Sequence, residues 1–342
     1  MSRYKTVTLP RVIKISIFLT MVFLVIAALA LVTGTVGIET IAVFKELLYG
    51  WHDGYSGLSP SEKTIVLSIR LPRIIFAGII GASLSTAGVV FQALLRNPLA
   101  DPYILGISGG SAVGAILGII LGAGVVPFGI PGLAFLGAVL TVILVFGIAR
   151  TGKELQSNTL LLAGVIVNAF FSAAIMFLIS TSRNADLHNI MFWLMGNLSL
   201  AAGGEIILTA LFLAAGFVII YIHSRSLNLI VTGEETAIQL GVNVEGTKKI
   251  LFLISSLVVG VAVSVSGIIG FVGLIIPHIV RMLFGPDHRL LLPASLLFGA
   301  SFLVAADTIA RTIIPSTELP VGVITAFCGA PYFIYLLRRR AV

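Results

Sequence analysis

What most constrains this chain is a series of apolar runs, each about 18 or more residues long and carrying few charges. In lipid, a helix satisfies every backbone group within its own segment, so such runs read as membrane-spanning helices. They are continuous rather than alternating in and out, which argues against an outer-membrane β-barrel. Hydrophobic residues fill 58% of the 342 positions and charged residues only 10%, against roughly 25% charged in a soluble domain. Mean hydropathy is +1.12. A soluble fold and intrinsic disorder are excluded, and the expected class is all-α and polytopic.

The runs predict about ten transmembrane crossings, at roughly 15–32, 72–95, 103–124, 130–149, 159–180, 204–222, 249–266, 268–284, 290–310 and 320–337. A shorter piece, 189–198, is too brief to cross and reads as one re-entrant or interfacial helix. The first run exceeds the about 7–15 residues of a signal-peptide core. It is read as an uncleaved helix, although Ala28-Leu29-Ala30 offers a small-x-small site. Residues 34–69 are the most polar long stretch, with turn signals at Trp51-His52-Asp53-Gly54 and Ser59-Pro60. With no linker and no low-complexity segment, 1–342 is expected to be a single domain, embedded over about 15–337. A basic–proline turn between apolar spans occurs near 96–102 and again near 281–293, a faint sign of an internal repeat.

The few charges test the orientation. An even number of crossings puts both termini on one side. If that side is the cytoplasm, Arg3, Lys5, Arg11, Lys14, Arg96, Arg150, Lys153, Arg225, Lys248, Lys249, Arg281, Arg289 and Arg338 to Arg340 lie inside. Only Lys45, Lys63, Arg70, Arg73, Arg183 and Arg311 remain outside, so fifteen of the 21 lysines and arginines obey the positive-inside rule. The net charge of +7 is thus an orientation signal. No basic run is interleaved with aromatics, as nucleic-acid binding would require.

Several motifs invite a function and fail. Gly147 to Glu154 nearly spells a P-loop, but Glu154 stands where a magnesium-binding Ser or Thr is needed. Gly106-Ile107-Ser108-Gly109-Gly110 matches the G-x-S-x-G of serine hydrolases, with His278 as a candidate base. Nothing supplies an oxyanion hole, and those glycines belong to a stripe (Gly106, Gly110, Gly114, Gly118, Gly122) suited to close helix packing within the bundle. The lone Cys328 excludes a disulfide framework, and the five scattered histidines suggest no metal site. Neither a metal nor another cofactor is expected.

Ionisable groups are nearly absent from the spans. Asp307 stands four residues before Arg311, a helical pairing distance. The fifth span offers nothing stronger than Asn168, Ser172 and Ser180, so no proton or sodium relay is visible and the energy should come from elsewhere. The longest inner loop, 224–248, contains Gly233-Glu234-Glu235-Thr236-Ala237-Ile238-Gln239-Leu240-Gly241. Its two glycines would bound a short helix whose Ala237, Ile238 and Leu240 form a small contact face for a partner.

At these residues the chain resembles the permease subunits of type II ABC importers, the family that carries cobalamin, haem and iron(III)-siderophores. The resemblance rests on Arg70-Leu-Pro-Arg73, Gly88 through Gln92 to Asn97-Pro98 and Asp101-Pro102, Leu105-Gly106, and Gly233-Glu234-Glu235 to Leu240-Gly241. It continues through Gly267 to Pro277-His278, Asp287-His288-Arg289, Leu292-Pro293, Glu318-Leu319-Pro320-Val321-Gly322 and Gly329-Ala330-Pro331. It covers about residue 65 to the end of the chain.

The resemblance implies a permease without its own enzyme activity, paired as a homodimer in the cytoplasmic membrane of a bacterium or archaeon. Two cytoplasmic ATPase subunits would grip 233–241 as a coupling helix (Gly233, Glu234, Glu235, Ala237, Leu240, Gly241). An extracytoplasmic binding protein would dock on Arg70 and Arg311. Ser157, Asn158 and Thr159 match the cytoplasmic gate, and Asn168 and Ser172 would line the translocation pathway. The expected cargo is an iron(III)-siderophore, with cobalamin or haem as the alternative within the family and an ion-coupled secondary carrier as the remoter one.

Overall fold

The computed structural model describes residues 7–34, 36–49, 57–151, 154–199, 203–314 and 317–340. Arg3, Lys5, the turn at 51–54, and Gly152 and Lys153 of the P-loop-like segment lie outside the described residues. In chain order the helices begin with α1 (Leu9–Val32), α2 (Thr40–Tyr49), α3 (Pro60–Thr64), α4 (Leu71–Leu94), α5 (Ile107–Ile120), α6 (Gly129–Ala149), α7 (Ser157–Thr181) and α8 (Asn184–Leu194). They continue with α9 (Gly203–Ile222), α10 (Ser224–Thr232), α11 (Glu234–Gln239), α12 (Val244–Ser266), α13 (Val272–Phe284), α14 (His288–Thr312) and α15 (Val321–Arg340). Among the described residues the β structure is one two-residue hairpin, Arg150–Thr151 with Glu154–Leu155. The all-α expectation holds.

The count of ten crossings is refined. Among the described residues, seven helical segments are long and apolar enough to cross: α1, α3 through α4 as one 35-residue helix, α6, α7, α9, α12 and α14. Three expected spans are shorter apolar helices, Ile107–Ile120, Val272–Phe284 and Val321–Leu336. Backbone geometry cuts the first two. The stretch expected to begin a span at 103 is instead a 3₁₀ turn, Pro102–Leu105, closed by Gly106 at φ 77°. Gly122, at φ 69°, lies just beyond the end of α5. The span expected from 268 begins only at Val272, because 267–271 is unwound behind Gly267 at φ 70°. Non-helical backbone at membrane depth needs partners in the protein. Here the Tyr103 hydroxyl supplies both, donating to the Ile269 carbonyl at 2.8 Å and accepting from the Ile269 N–H at 3.1 Å. The short piece expected at 189–198 falls on α8, which runs earlier, from Asn184 to Leu194.

Glycine sets the closest approaches. A Cβ on Gly110 or Gly114 would collide with Thr141, the Gly137 carbonyl or the Leu133 carbonyl of α6. Gly110, Gly114 and Gly118 of the stripe therefore form an internal α5–α6 contact, as expected, whereas Gly106 lies closest to the α7 backbone and Gly122 has nothing within 4 Å. The central helix α4 is clamped the same way, Gly81 against the Gly299 carbonyl of α14 and Gly88 against the Gly273 carbonyl of α13. Backbones meeting at bare glycines gain dispersion contacts where lipid offers no hydrophobic driving force. Helix α4 is consequently buried along nearly its whole length. Many large side chains of α1, α7 and α9 point outward, such as Phe18, Phe170 and Leu211.

Candidate functional site

Two clusters stand at opposite ends of α4. At its start, Pro72 lacks the N–H for a regular helical bond and its ring crowds the preceding turn. The helix widens there into a π-helical stretch, Ile65–Arg70, in which the Leu71 N–H reaches back to the Val66 carbonyl. Such wide turns redirect side chains and recur at functional places. This one aims Arg70 at the end of α1, where its guanidinium donates to the Leu31, Val32 and Val36 carbonyls at 2.9, 3.1 and 2.6 Å. Gly34 leaves the room, since a Cβ there would overlap the guanidinium.

Arg73 lies one turn on. Its Nε donates to both Asp307 carboxylate oxygens at 3.1 Å and its Nη2 to Oδ1 at 2.9 Å, while Nη1 reaches Glu318 at 2.7 Å. Arg311 completes the group, with Nε 3.2 Å from Asp307 and Nη2 donating to the Ala30 carbonyl at 3.3 Å. The expected i,i+4 pairing of Asp307 with Arg311 is present, but Arg73 is the carboxylate's principal partner. Arg70 and Arg311 are only 4% and 6% exposed, and both cap the last carbonyls of α1. Of the two carboxylates, the one half in solvent belongs to Glu318, with a side chain 54% exposed.

The far end of α4 carries the second cluster. The expected short helix is α11, bounded by Gly233 at φ 153° and Gly241 at φ 83°. An unforeseen helix, α10, precedes it. Ile238 and Leu240 stand out at 60% and 61% exposure. Ala237 does not join their contact face. It is fully buried against Ile230 and Val244, and so anchors α11. Glu235 is exposed, whereas Glu234 turns inward to Lys248, whose Nζ donates to both carboxylate oxygens at 3.2 Å. Arg96 lies 3.6 Å from Glu234 on the other side.

The residues matched to the gate border the same place. Ser157, Asn158, Arg96, Glu234, Glu235 and Lys248 help to line one cavity of about 930 Å³. The Ser157 hydroxyl donates to the Leu94 carbonyl at 2.8 Å, and the Thr159 hydroxyl to Gln156 at 3.3 Å. Nearby, Asp287 caps α14. Burial would raise its pKa, but hydrogen bonds from Arg289 and Asn228 outweigh this and hold it at about 2.

Asn168 and Ser172 lie one turn apart on the same side of α7 but differ in exposure. Asn168 is half-buried, with its Oδ1 within 3.0 Å of where a Gly109 Cβ would stand, so it faces α5. Ser172 is exposed and bonds back to the Asn168 carbonyl at 2.9 Å. The hydrolase motif has no support: Ser108 is buried in the first turn of α5, and His278 packs against Tyr332 and Phe333. Among the described residues no group of three or more His, Cys, Asp or Glu could hold a metal ion.

Sequence reasoning gave no role to Arg73, Glu318, Arg96, Lys248 or Tyr103. Arg73 and Glu318 stood inside quoted motifs, yet a pair 245 positions apart leaves no local signal.

These two ends, on a polytopic helical bundle, are the architecture of a multi-pass membrane protein. The chain belongs to the FecCD transport family, whose profile it matches over residues 19–339. It is 42% identical over 315 residues to the ABC transporter permease protein YvrB of Bacillus subtilis, covering 90% of this chain and 88% of that one. It is 45% identical to the cobalamin import system permease protein BtuC of Halobacterium salinarum, covering 84% and 76%. The hemin transport system permease protein HmuU of Yersinia pestis is 40% identical, covering 81% and 84%. Among solved structures, a metal-chelate type ABC transporter in an inward-facing conformation superposes with a TM-score of 0.81 at 32% identity, over 96% and 99% of the two chains. The chain is thus a multi-pass permease subunit of an ABC importer, and ATP hydrolysis lies on a separate ATPase subunit. The ion-coupled carrier considered from sequence falls away.

Proposed function

We propose that this permease passes a bulky metal chelate across the cytoplasmic membrane as a homodimer. Both termini face the cytoplasm, two ATPase subunits engage α11, and a binding protein docks at the arginine end through Arg70 and Arg311. The observation that carries the reading is α11 itself. Two glycines frame it, Ala237 and Glu234 pin it to the bundle, and its exposed Ile238 and Leu240 stand beside the gate residues. A force applied to those tips is delivered to the end of the bundle where access would close.

Helix α7 supports the rest. It has no ionisable side chain, and its Leu162, Val165, Ile166, Phe170, Met176 and Phe177 are exposed. A second copy and surrounding lipid would cover such a face, and a large chelate could slide along it without binding tightly. Affinity would then reside in the binding protein.

An iron(III)-siderophore is the cargo expected from the family resemblance. Cobalamin is a second reading, favoured by the 45% identity to a cobalamin permease. The test is uptake of labelled cobalamin, ferric siderophore or haem into vesicles carrying the permease with its ATPase and binding protein. A single competed chelate identifies the cargo, and uptake of none of them overturns the proposal.

A further inference from the structure

The last turn of α4 touches two elements that the proposed function assigns to different tasks. On one side, Arg96 reaches the joint between α10 and α11: its Nη2 donates to the Ile230 carbonyl at 3.1 Å and stands 3.6 Å from Glu234. On the other side, the Leu94 carbonyl accepts the Ser157 hydroxyl at 2.8 Å, which ties down the first residue of α7. A single residue, Leu95, therefore separates the anchor of the projecting helix from the anchor of the gate.

The backbone at Arg96 is held in an unusual state for this purpose. Its φ is 47°, in the left-handed region that a residue with a Cβ seldom adopts. The conformation ends α4 and swings the side chain toward α10 and α11. The Arg96 N–H still bonds the Ala93 carbonyl and the Asn97 N–H bonds the Gln92 carbonyl, so the turn is a closed, hydrogen-bonded unit. Glu234 is gripped from α12 as well, by the buried Lys248. Arg96 thus contacts α10 and α11 on one side, while the Leu94 carbonyl holds Ser157 on the other.

We propose that Arg96 is a positioning residue that transmits movement of α11 to the N-terminus of α7 through the Leu94–Arg96 turn. This rests on the reading of α11 as the ATPase contact and of residues 157–159 as the gate. A double-mutant cycle measures the coupling.

The experiment reconstitutes the permease with its ATPase and binding protein and measures chelate transported per ATP hydrolysed. The variants are Arg96→Gly, which keeps the left-handed turn but removes the guanidinium, Ser157→Ala, and the two together. Each single variant is expected to lower the ratio at least fivefold while ATPase subunits co-purify in normal proportion, and the double variant to be no worse than the poorer single one. A merely structural role would reduce the yield of complex and leave the ratio unmoved. An unchanged ratio, or losses that multiply in the double variant, overturns the proposal. If Arg96→Gly does not assemble, Arg96→Lys takes its place, with a two- to threefold loss expected and no loss contradictory. Cross-linking from Ile238→Cys to the ATPase separates the two levels: without a cross-link the functional reading fails, and with one but an unchanged ratio only the Arg96 inference fails.

Discussion

Arg73 on α4 and Asp307 on α14 form a buried two-pronged ion pair, 8% and 1% exposed, that joins segments 234 residues apart. Its geometry accounts for burying a carboxylate among apolar helices. Three nitrogen–oxygen contacts from Arg73 and one from Arg311 replace the lost hydration. The pair thus holds α4 to α14 where both approach the end of α1.

Removing only one member should leave an uncompensated charge. Asp307→Ala is expected to destabilise the protein by about 3–5 kcal/mol, read as lower thermal stability in lipid nanodiscs. Asp307→Asn, which keeps some hydrogen bonds, should fall between the variant and the parent.

The glycine contacts predict a sharp positional contrast. Gly88→Ala places a methyl into the Gly273 carbonyl and should cost about 1–3 kcal/mol or prevent assembly. Gly132→Ala and Gly147→Ala, each with open space, should unfold close to the parent temperature.

Tyr103→Phe deletes the hydroxyl that serves both polar groups of Ile269. Each orphaned buried group costs about 1–3 kcal/mol. Hydrogen exchange over 267–271 should quicken while the interior of α12 keeps its protection.

Asp287 makes a pH prediction. Its folded pKa of about 2 lies below the ordinary 3.8, so its contribution to stability is present above pH 3.8 and is lost as pH falls toward 2. The stability gap between parent and Asp287→Ala should stay constant from pH 7 to about pH 4 and narrow below that.

The sequence made legible whatever is local along the chain. Apolar runs located the helices, Gly233 and Gly241 framed α11, and the spacing of Asp307 and Arg311 gave their pairing. It did not make legible what depends on distant segments meeting. The spans at 103 and 268 were read as continuous because apolar side chains hide an unwound backbone, and only Tyr103 beside Ile269 shows how those groups are satisfied. Arg70 and Arg311 stand together at one end of the bundle. Their burial against the α1 carbonyls could not be read from residues some forty and 280 positions away.

The central claim is that this bundle is driven by ATP through α11. Its most direct test is chelate uptake in vesicles containing the permease, its ATPase and its binding protein, with Glu234→Arg as the variant. The account predicts uptake that needs ATP, ignores a proton uncoupler, and collapses when Glu234→Arg sets a third cation against Arg96 and Lys248. Uptake that persists without the ATPase subunits, or stops on adding the uncoupler while ATP remains, would contradict it.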